Sequence, residues 1–266
     1  VLRSMYNTYI NNRKMTICND EWLIQALYNA VNTINAQIVS CSWRRSYSSV
    51  LTEAINNLAQ AGRCGKGTIF VFSAGNYEFP NDSFSVGFPA SLQNTISVGS
   101  ICENGLRVGA NGTFPTFPYW ESCYGNGLDL SAPGVSIMTT NPNNSYNGEF
   151  QGTSASAPQV SGVAALMLSL DSTLTRQEVY EILCSTASKV ALDSNRYMAN
   201  PLHPYGVWSN QVGYGLVNAH HALLKTLYKD YYISGPDTIN LCEQTSYTLY
   251  GTRPFNDSIT NCWTSS

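Results

Sequence analysis

The heptapeptide Gly152-Thr153-Ser154-Ala155-Ser156-Ala157-Pro158 runs directly into the apolar stretch Val160 to Leu168. Ser154 therefore reads as a serine at the start of a buried helix. Its hydroxyl would face the end of a sheet, where ligands bind in α/β folds. Its backbone N–H would have no partner inside the helix and could steady a developing oxyanion, helped by the helix dipole. Pro158 fits a first helical turn, which needs no intrahelical N–H. The plainer alternative is that Thr153 or Ser154 only caps a core helix. Phe70-Val71-Phe72-Ser73-Ala74-Gly75-Asn76 adds an asparagine just past a buried strand, with Gly75 allowing the chain to approach a ligand closely. The Asn76 amide could donate to the same oxyanion as the Ser154 N–H. Here the plainer alternative is an ordinary asparagine in a turn.

Alternating strands and helices must position these groups. Leu23, Ala26, Leu27, Ala30, Val31 and Ile34 share one face of a helix expected over Asn19 to Asn35. Gln37 to Ser42 reads as a short buried strand. Val50, Leu51, Ala54, Ile55, Leu58 and Ala59 mark a second helix, ended by Gly62 and Gly65, and Thr68 to Phe72 is the next strand. This strand–helix–strand spacing predicts a right-handed crossover and a parallel sheet covered on both faces, an α/β fold in three layers. Tyr77 to Gly134 is loop-rich, with one further clear strand at Thr95 to Ser100. Val135 to Thr140 and Tyr146 to Gln151 read as a hairpin. Thr175-Arg176-Gln177-Glu178 is a capping box, with Leu174 and Val179 placed as a hydrophobic staple. A last helix is expected from Asn218 to about Lys229. Beyond Asp230, Tyr231-Tyr232-Ile233, Ser246-Tyr247-Thr248-Leu249-Tyr250 and Cys262-Trp263 look like the first strands of a small all-β module, similar to the immunoglobulin-like repeats of large secreted bacterial proteins. The division is thus 1–229 and 230–266.

Charged residues make up 12% of the chain, against about 25% in a typical soluble domain. With a net charge of −3 there is no basic field to attract nucleic acid. The apolar run Val163 to Leu168 is too short to span a bilayer. Eight dispersed cysteines form no Cys-x-x-Cys pair and lie away from the histidines at ligand spacing, which argues against zinc. They allow disulfides in an oxidising compartment or buried thiols, and Cys41, inside an apolar strand, favours the thiol. Val1 is not an initiator Met and the chain stops in a strand-like segment, so it reads as an internal piece of a longer protein.

A series of motifs in the right order resembles the subtilisin-like serine proteases, the subtilase family. Ser73-Ala74-Gly75-Asn76 resembles the family's oxyanion-hole motif and Gly152 to Pro158 its nucleophile motif. Phe88-Pro89-Ala90 with Ile96 to Ser100, Asp129 to Gly134, and Ile38 to Trp43 resemble the intervening loop and strand, the stretch before the nucleophile hairpin, and the strand lining the substrate cleft. Gly213 to Ala219 resembles the start of the closing helix, and the likeness runs over about residues 1 to 229.

The resemblance implies a subtilisin-like fold and a serine endopeptidase acting on polypeptides. Ser154 would be the nucleophile, Asn76 and the Ser154 N–H the oxyanion hole, and Ser42, Trp43, Ser73, Ala74 and Gly75 the substrate groove. The family's Asp and His motifs are absent, and no histidine precedes Ser154. They are expected upstream of Val1; the alternative is a catalytically dead domain that binds peptides or scaffolds a surface protein. Arg44 stands where the family usually has Gly, which is expected to narrow the groove, and Ala155 stands where Met is common. The order Ser154, Asp193, His203 would match an α/β-hydrolase, but Ser156 replaces the last Gly of Gly-x-Ser-x-Gly. His203 is expected in a surface loop, and His220 and His221 on the last helix. No cofactor is required; calcium would fit the family, but no ligand is assigned. The expected setting is a secreted or cell-surface bacterial monomer.

Overall fold

A computed structural model describes residues 6–10, 13–77, 84–110, 120–191, 195–229, 232–234, 248–252 and 261–264. Cys242 and Asp193 lie outside the described residues. The chain opens with an antiparallel pair, β1 (Tyr6–Ile10) and β2 (Arg13–Ile17). Helix α1 (Asp20–Tyr28) is capped by the Asn19 side chain and runs into a π-helical turn at Asn29–Thr33. Then follow β3 (Ile38–Cys41), α2 (Ser49–Ala61) and β4 (Ile69–Ser73). A short β5 (Asn76–Tyr77) pairs with β7 (Glu121–Ser122), with β6 (Ile96–Ile101) between them in sequence. β8 (Leu130–Pro133) leads to the hairpin β9 (Ile137–Asn141) and β10 (Ser145–Phe150). After it come α3 (Thr153–Leu170), α4 (Arg176–Thr186), the hairpin β11 (Met198–Asn200) and β12 (His203–Trp208), and α5 (Ala219–Tyr228).

The central sheet has the order β3-β4-β6-β8, and every pair in it is parallel. Ile38 faces Ile69 in register, so the β3–α2–β4 crossover joins neighbouring strands as its spacing predicts. Strand parity separates the two layers that cover the sheet. Ile69 and Val71 of β4 pack with Val160, Ala164, Met167 and the helices α4 and α5. Phe70 and Phe72, from the same strand, pack instead with Leu23, Leu27, Leu51, Ile55 and Leu58 of α1 and α2. The result is a three-layer α/β fold with a parallel sheet. The sequence reading missed β8 as a fourth parallel strand. It also missed the hairpins β1–β2 and β11–β12.

The Thr175–Glu178 capping box forms in both directions, and Leu174 and Val179 beside it are fully buried. Cys18, Cys41, Cys64, Cys102, Cys123 and Cys184 are in no disulfide, which resolves the cysteine question for these six in favour of thiols. A small antiparallel sheet of β13 (Tyr232–Ser234), β14 (Thr248–Thr252) and β15 (Asn261–Thr264) falls where the three C-terminal strands are expected. Among the described residues no helix is long and apolar enough to cross a membrane.

Candidate active site

All four parallel strands point their carboxyl ends the same way, and the candidate residues gather there. Ser42 follows β3, Ser73 ends β4, Ala74 and Gly75 follow it, and Ser154 starts α3, which docks on the end of β8. That docking is specific: the Ser156 hydroxyl donates to the carbonyls of Ala132 (3.1 Å) and Pro133 (3.2 Å), and Gln159 Nε2 donates to Pro133 O at 2.7 Å. Gly152 precedes the helix with φ +117°, a left-handed conformation that glycine adopts without strain. Its N–H donates to Gly134 O at 2.9 Å.

Thr153 and Asn76 lock together. The Thr153 N–H (3.0 Å) and hydroxyl (2.8 Å) both donate to Asn76 Oδ1. The Gly75 N–H donates in turn to Thr153 Oγ1 at 3.3 Å. A backbone N–H can only donate, so the atom that meets it must be the amide oxygen, and Nδ2 is left facing the other way. Gly152 shows where it points. A Cβ placed there would stand 3.1 Å from Asn76 Nδ2 and 3.6 Å from the Ser154 nitrogen. The space that glycine leaves open is thus bordered by both groups. The Ser154 nitrogen belongs to the first turn of α3, whose N–H groups lack intrahelical acceptors. Two donor nitrogens therefore lie close together beside a half-buried serine, a pairing suited to holding a developing negative oxygen.

Pro158 is the sixth residue of α3, not part of its first turn as the sequence reading had it. In a regular helix the N–H of residue 158 would bond the carbonyl of residue 154, and proline has none to give. The Ser42 hydroxyl takes that place, donating to Ser154 O at 3.0 Å. One bond thus ties the end of β3 to the candidate nucleophile.

The remaining groove candidates fall on both sides of the surface. Ser42 is exposed, whereas the Trp43 ring meets Phe72 edge-on with centroids 5.2 Å apart and packs with the layer of α1 and α2. Ser73 and Ala74 are buried. The Ala74 backbone is engaged at both ends, its N–H with Val98 O (2.9 Å) and its carbonyl with Gly87 N (2.8 Å). Gly75 has φ +109° and its carbonyl accepts from Cys123 N at 2.9 Å. Arg44, expected from the sequence to narrow the groove, lies along this wall, its Cδ 3.2 Å from a Cβ placed on Gly75.

The histidines sit elsewhere. His203 is not in a surface loop: it opens β12, is 6% exposed, and stacks on Trp208 with ring centroids 4.1 Å apart. Burial lowers its pKa, opposed by a backbone bond at Asn126. Trp208 Nε1 donates to Leu128 O at 2.8 Å, which holds this pair beside the amino end of β8. Ser154 lies at the carboxyl end, where its helix docks on Ala132 and Pro133. From residue 129 to 133 a strand spans roughly 13 Å, so His203 and Asp129 are at the wrong end of the sheet to serve Ser154. Burial pushes Asp129 up to about 6, against hydrogen bonds from Ser97 and Tyr180 that lower it. His220 and His221 are exposed on α5, with His221 Nδ1 at 3.1 Å from Asn218 Nδ2. Among the described residues no three His, Cys, Asp or Glu side chains converge as a metal site, and no calcium ligand is assigned.

The subtilase family, Peptidase S8, matches residues 7–215, and the chain belongs to that family. Subtilisin amylosacchariticus of Bacillus subtilis subsp. amylosacchariticus is 31% identical over 202 residues, covering 76% of this chain and 42% of that protein. Subtilisin J of Geobacillus stearothermophilus gives the same figures. A subtilisin of Bacillus pumilus is 32% identical over 168 residues, 63% of this chain and 52% of its own length. The chain therefore spans about half or less of the length of these relatives. Among solved structures, a mutant of the protease domain of PatA superposes with a TM-score of 0.60 at 21% identity, over 83% of this chain and 69% of that one. The prenylagaramide maturation protease PagA gives 0.58 at 22% identity, over 79% and 69%. Both support the fold.

Proposed function

We propose that the full-length protein is a serine endopeptidase that cleaves peptide bonds in proteins through an acyl-enzyme on Ser154. Membership of the subtilase family supports serine protease chemistry, and the placement of Asn76 supports the particular residues. The carrying observation is that Asn76 Nδ2 and the Ser154 nitrogen both border the space above Gly152, while the Thr153 N–H and hydroxyl occupy the Asn76 oxygen and leave Nδ2 as the free end of the amide. In the proposed reaction the Ser154 hydroxyl attacks the scissile carbonyl, and the oxygen of the tetrahedral intermediate settles between those two donors. Ser42 and Gly75 border the bound peptide, with Trp43, Ser73 and Ala74 supporting them from the core side.

A serine hydroxyl is a weak nucleophile at neutral pH without a base to take its proton. No histidine precedes Ser154 in these 266 residues, and His203 is fixed at the far end of the sheet. The general base and the carboxylate that orients it are therefore assigned to sequence outside this chain. The bacterial source of the relatives and the resemblance to immunoglobulin-like repeats support a secreted or cell-surface protein.

Peptide hydrolysis by the full-length protein and its Ser154→Ala variant tests the reading. The wild type is expected to turn over and the variant to fall to background. Equal rates in the two would refute it.

A further inference from the structure

The backbone of Asn76 is held as closely as its amide. Asn76 opens β5, which pairs with the two-residue strand β7, so that Asn76 faces Ser122 and Tyr77 faces Glu121. Just beyond that pair the Cys123 N–H donates to Gly75 O at 2.9 Å. Neither strand belongs to the central sheet. A ribbon this short has little stability of its own, so its place is set by whatever holds β7 from behind. Ser122 Oγ accepts from the Ser100 N–H at 2.9 Å, which ties β7 to β6.

The larger tie is Arg107, a cation only 6% exposed. Its Nη1 donates to Ser122 O (2.9 Å), Val108 O (3.0 Å) and Glu121 Oε2 (3.1 Å), and its Nε donates to Gln211 Oε1 (2.8 Å). The guanidinium carbon also lies 4.3 Å from the centroid of the Tyr124 ring. Val108 O accepts from the Ser122 N–H as well, at 3.0 Å. One side chain thus meets both residues of β7, the loop behind it and the turn that carries Gln211. The planar fork of arginine suits such a cluster of acceptors, and a lysine could not reach them all at once.

Asn76 is therefore clamped from two sides. Thr153 fixes the amide oxygen, and β7, braced by Arg107, fixes the backbone from which the amide hangs. We infer, building on the proposed function, that Arg107 is a positioning residue for the oxyanion hole: it braces β7 so that Asn76 Nδ2 stays where the tetrahedral oxygen forms. Its effect on turnover must then pass through Asn76, which separates this role from general support of the fold.

The test is a double-mutant cycle in the full-length protein: wild type, Arg107→Met, Asn76→Ala and the double variant, with kcat referred to the folded fraction. A misplacement of about 1 Å can cost about 100-fold, so Arg107→Met is expected to lower kcat by about 10- to 100-fold with little change in KM. In the Asn76→Ala background the same change should cost less than about threefold, because the donor to be placed is gone. Arg107→Lys keeps the charge and should recover part of the loss. If Arg107→Met does not fold, Arg107→Lys enters the same cycle, with a smaller loss that should again vanish in Asn76→Ala. Arg107→Met also strands the Glu121 carboxylate, whose side chain is 18% exposed. Arg107→Met with Glu121→Gln removes that charge, and kcat should stay low while the unfolding midpoint rises. Equal losses in both Asn76 backgrounds, or a wild-type kcat in the Arg107→Met, Glu121→Gln protein, would overturn the inference. Ser154-dependent cleavage that ignores Arg107 removes this inference alone. Absence of Ser154-dependent cleavage in the wild type removes the proposed function and this inference with it.

Discussion

Because Pro158 cannot donate to Ser154 O, the Ser42 hydroxyl is expected to matter only while residue 158 is proline. Four proteins test this: Ser42→Ala, Pro158→Ala, the double variant and the parent, all made in a Ser154→Ala background that prevents self-cleavage and leaves the carbonyl in place. The Ser42–Ser154 bond is 3.0 Å long and joins an exposed hydroxyl to a half-buried residue. Water can partly replace it, so its loss is expected to cost about 1 kcal/mol, near the middle of the usual range. In the Pro158→Ala background the new alanine N–H reaches Ser154 O by the ordinary helical bond, and Ser42→Ala should then cost close to nothing. The coupling energy is therefore about 1 kcal/mol, about a fivefold change in the folding equilibrium. Urea unfolding of the four proteins measures it. Changes that add to within about 0.5 kcal/mol would show that Ser42 does not stand in for the missing helical donor.

Asn76→Ala is expected to lower kcat of the full-length enzyme by about 10²–10³, the loss known for the equivalent donor in subtilisin, with a much smaller change in KM; steady-state kinetics would show it. Thr153→Val removes the hydroxyl that holds Asn76 Oδ1 and receives the Gly75 N–H, and should lower kcat by about tenfold, partly restored by Thr153→Ser. Asp129 keeps its proton up to about 6 when folded and releases it near 3.8 when unfolded. The folded state then binds more protons between those values, so this group's stabilisation is complete below about 3.8 and is lost as pH rises through about 6, by on the order of 3 kcal/mol. Thermal unfolding across pH 3–7 should show that slope, and Asp129→Asn should flatten it. Gly134→Ala would drive a methyl into Ser100 Oγ and Ser156 Oγ, so its soluble yield or unfolding midpoint should report a loss of about 3 kcal/mol or more.

The elements that carry the site were legible because their signals are local. Apolar periodicity marks α2, the run Thr68 to Phe72 marks β4, and the small apolar residues after Ser154 mark α3. β8 was hidden because its sequence, Leu130 to Pro133, is short and interleaved with polar residues. Asp129 and Ser131 look like loop chemistry, yet they are buried where Tyr180, Ser97 and the Val212 carbonyl satisfy them. His203 was misplaced for a similar reason. The Leu-His-Pro sequence suggests a turn, and the rings of Trp208, five residues on, and Tyr214 make that position a buried one. The direction of the Asn76 amide could not be read from spacing at all. It depends on Thr153, which lies 77 residues away in sequence.

A fluorophosphonate label on the full-length protein, followed by mapping of the modified peptide, tests the role of Ser154 most directly. Labelling requires a nucleophilic serine, a working base and a site for the phosphonyl oxygen. The expected adduct is on Ser154, absent in Ser154→Ala and formed much more slowly in Asn76→Ala. No adduct, or an adduct on another serine with Ser154 unmodified, would contradict the assignment.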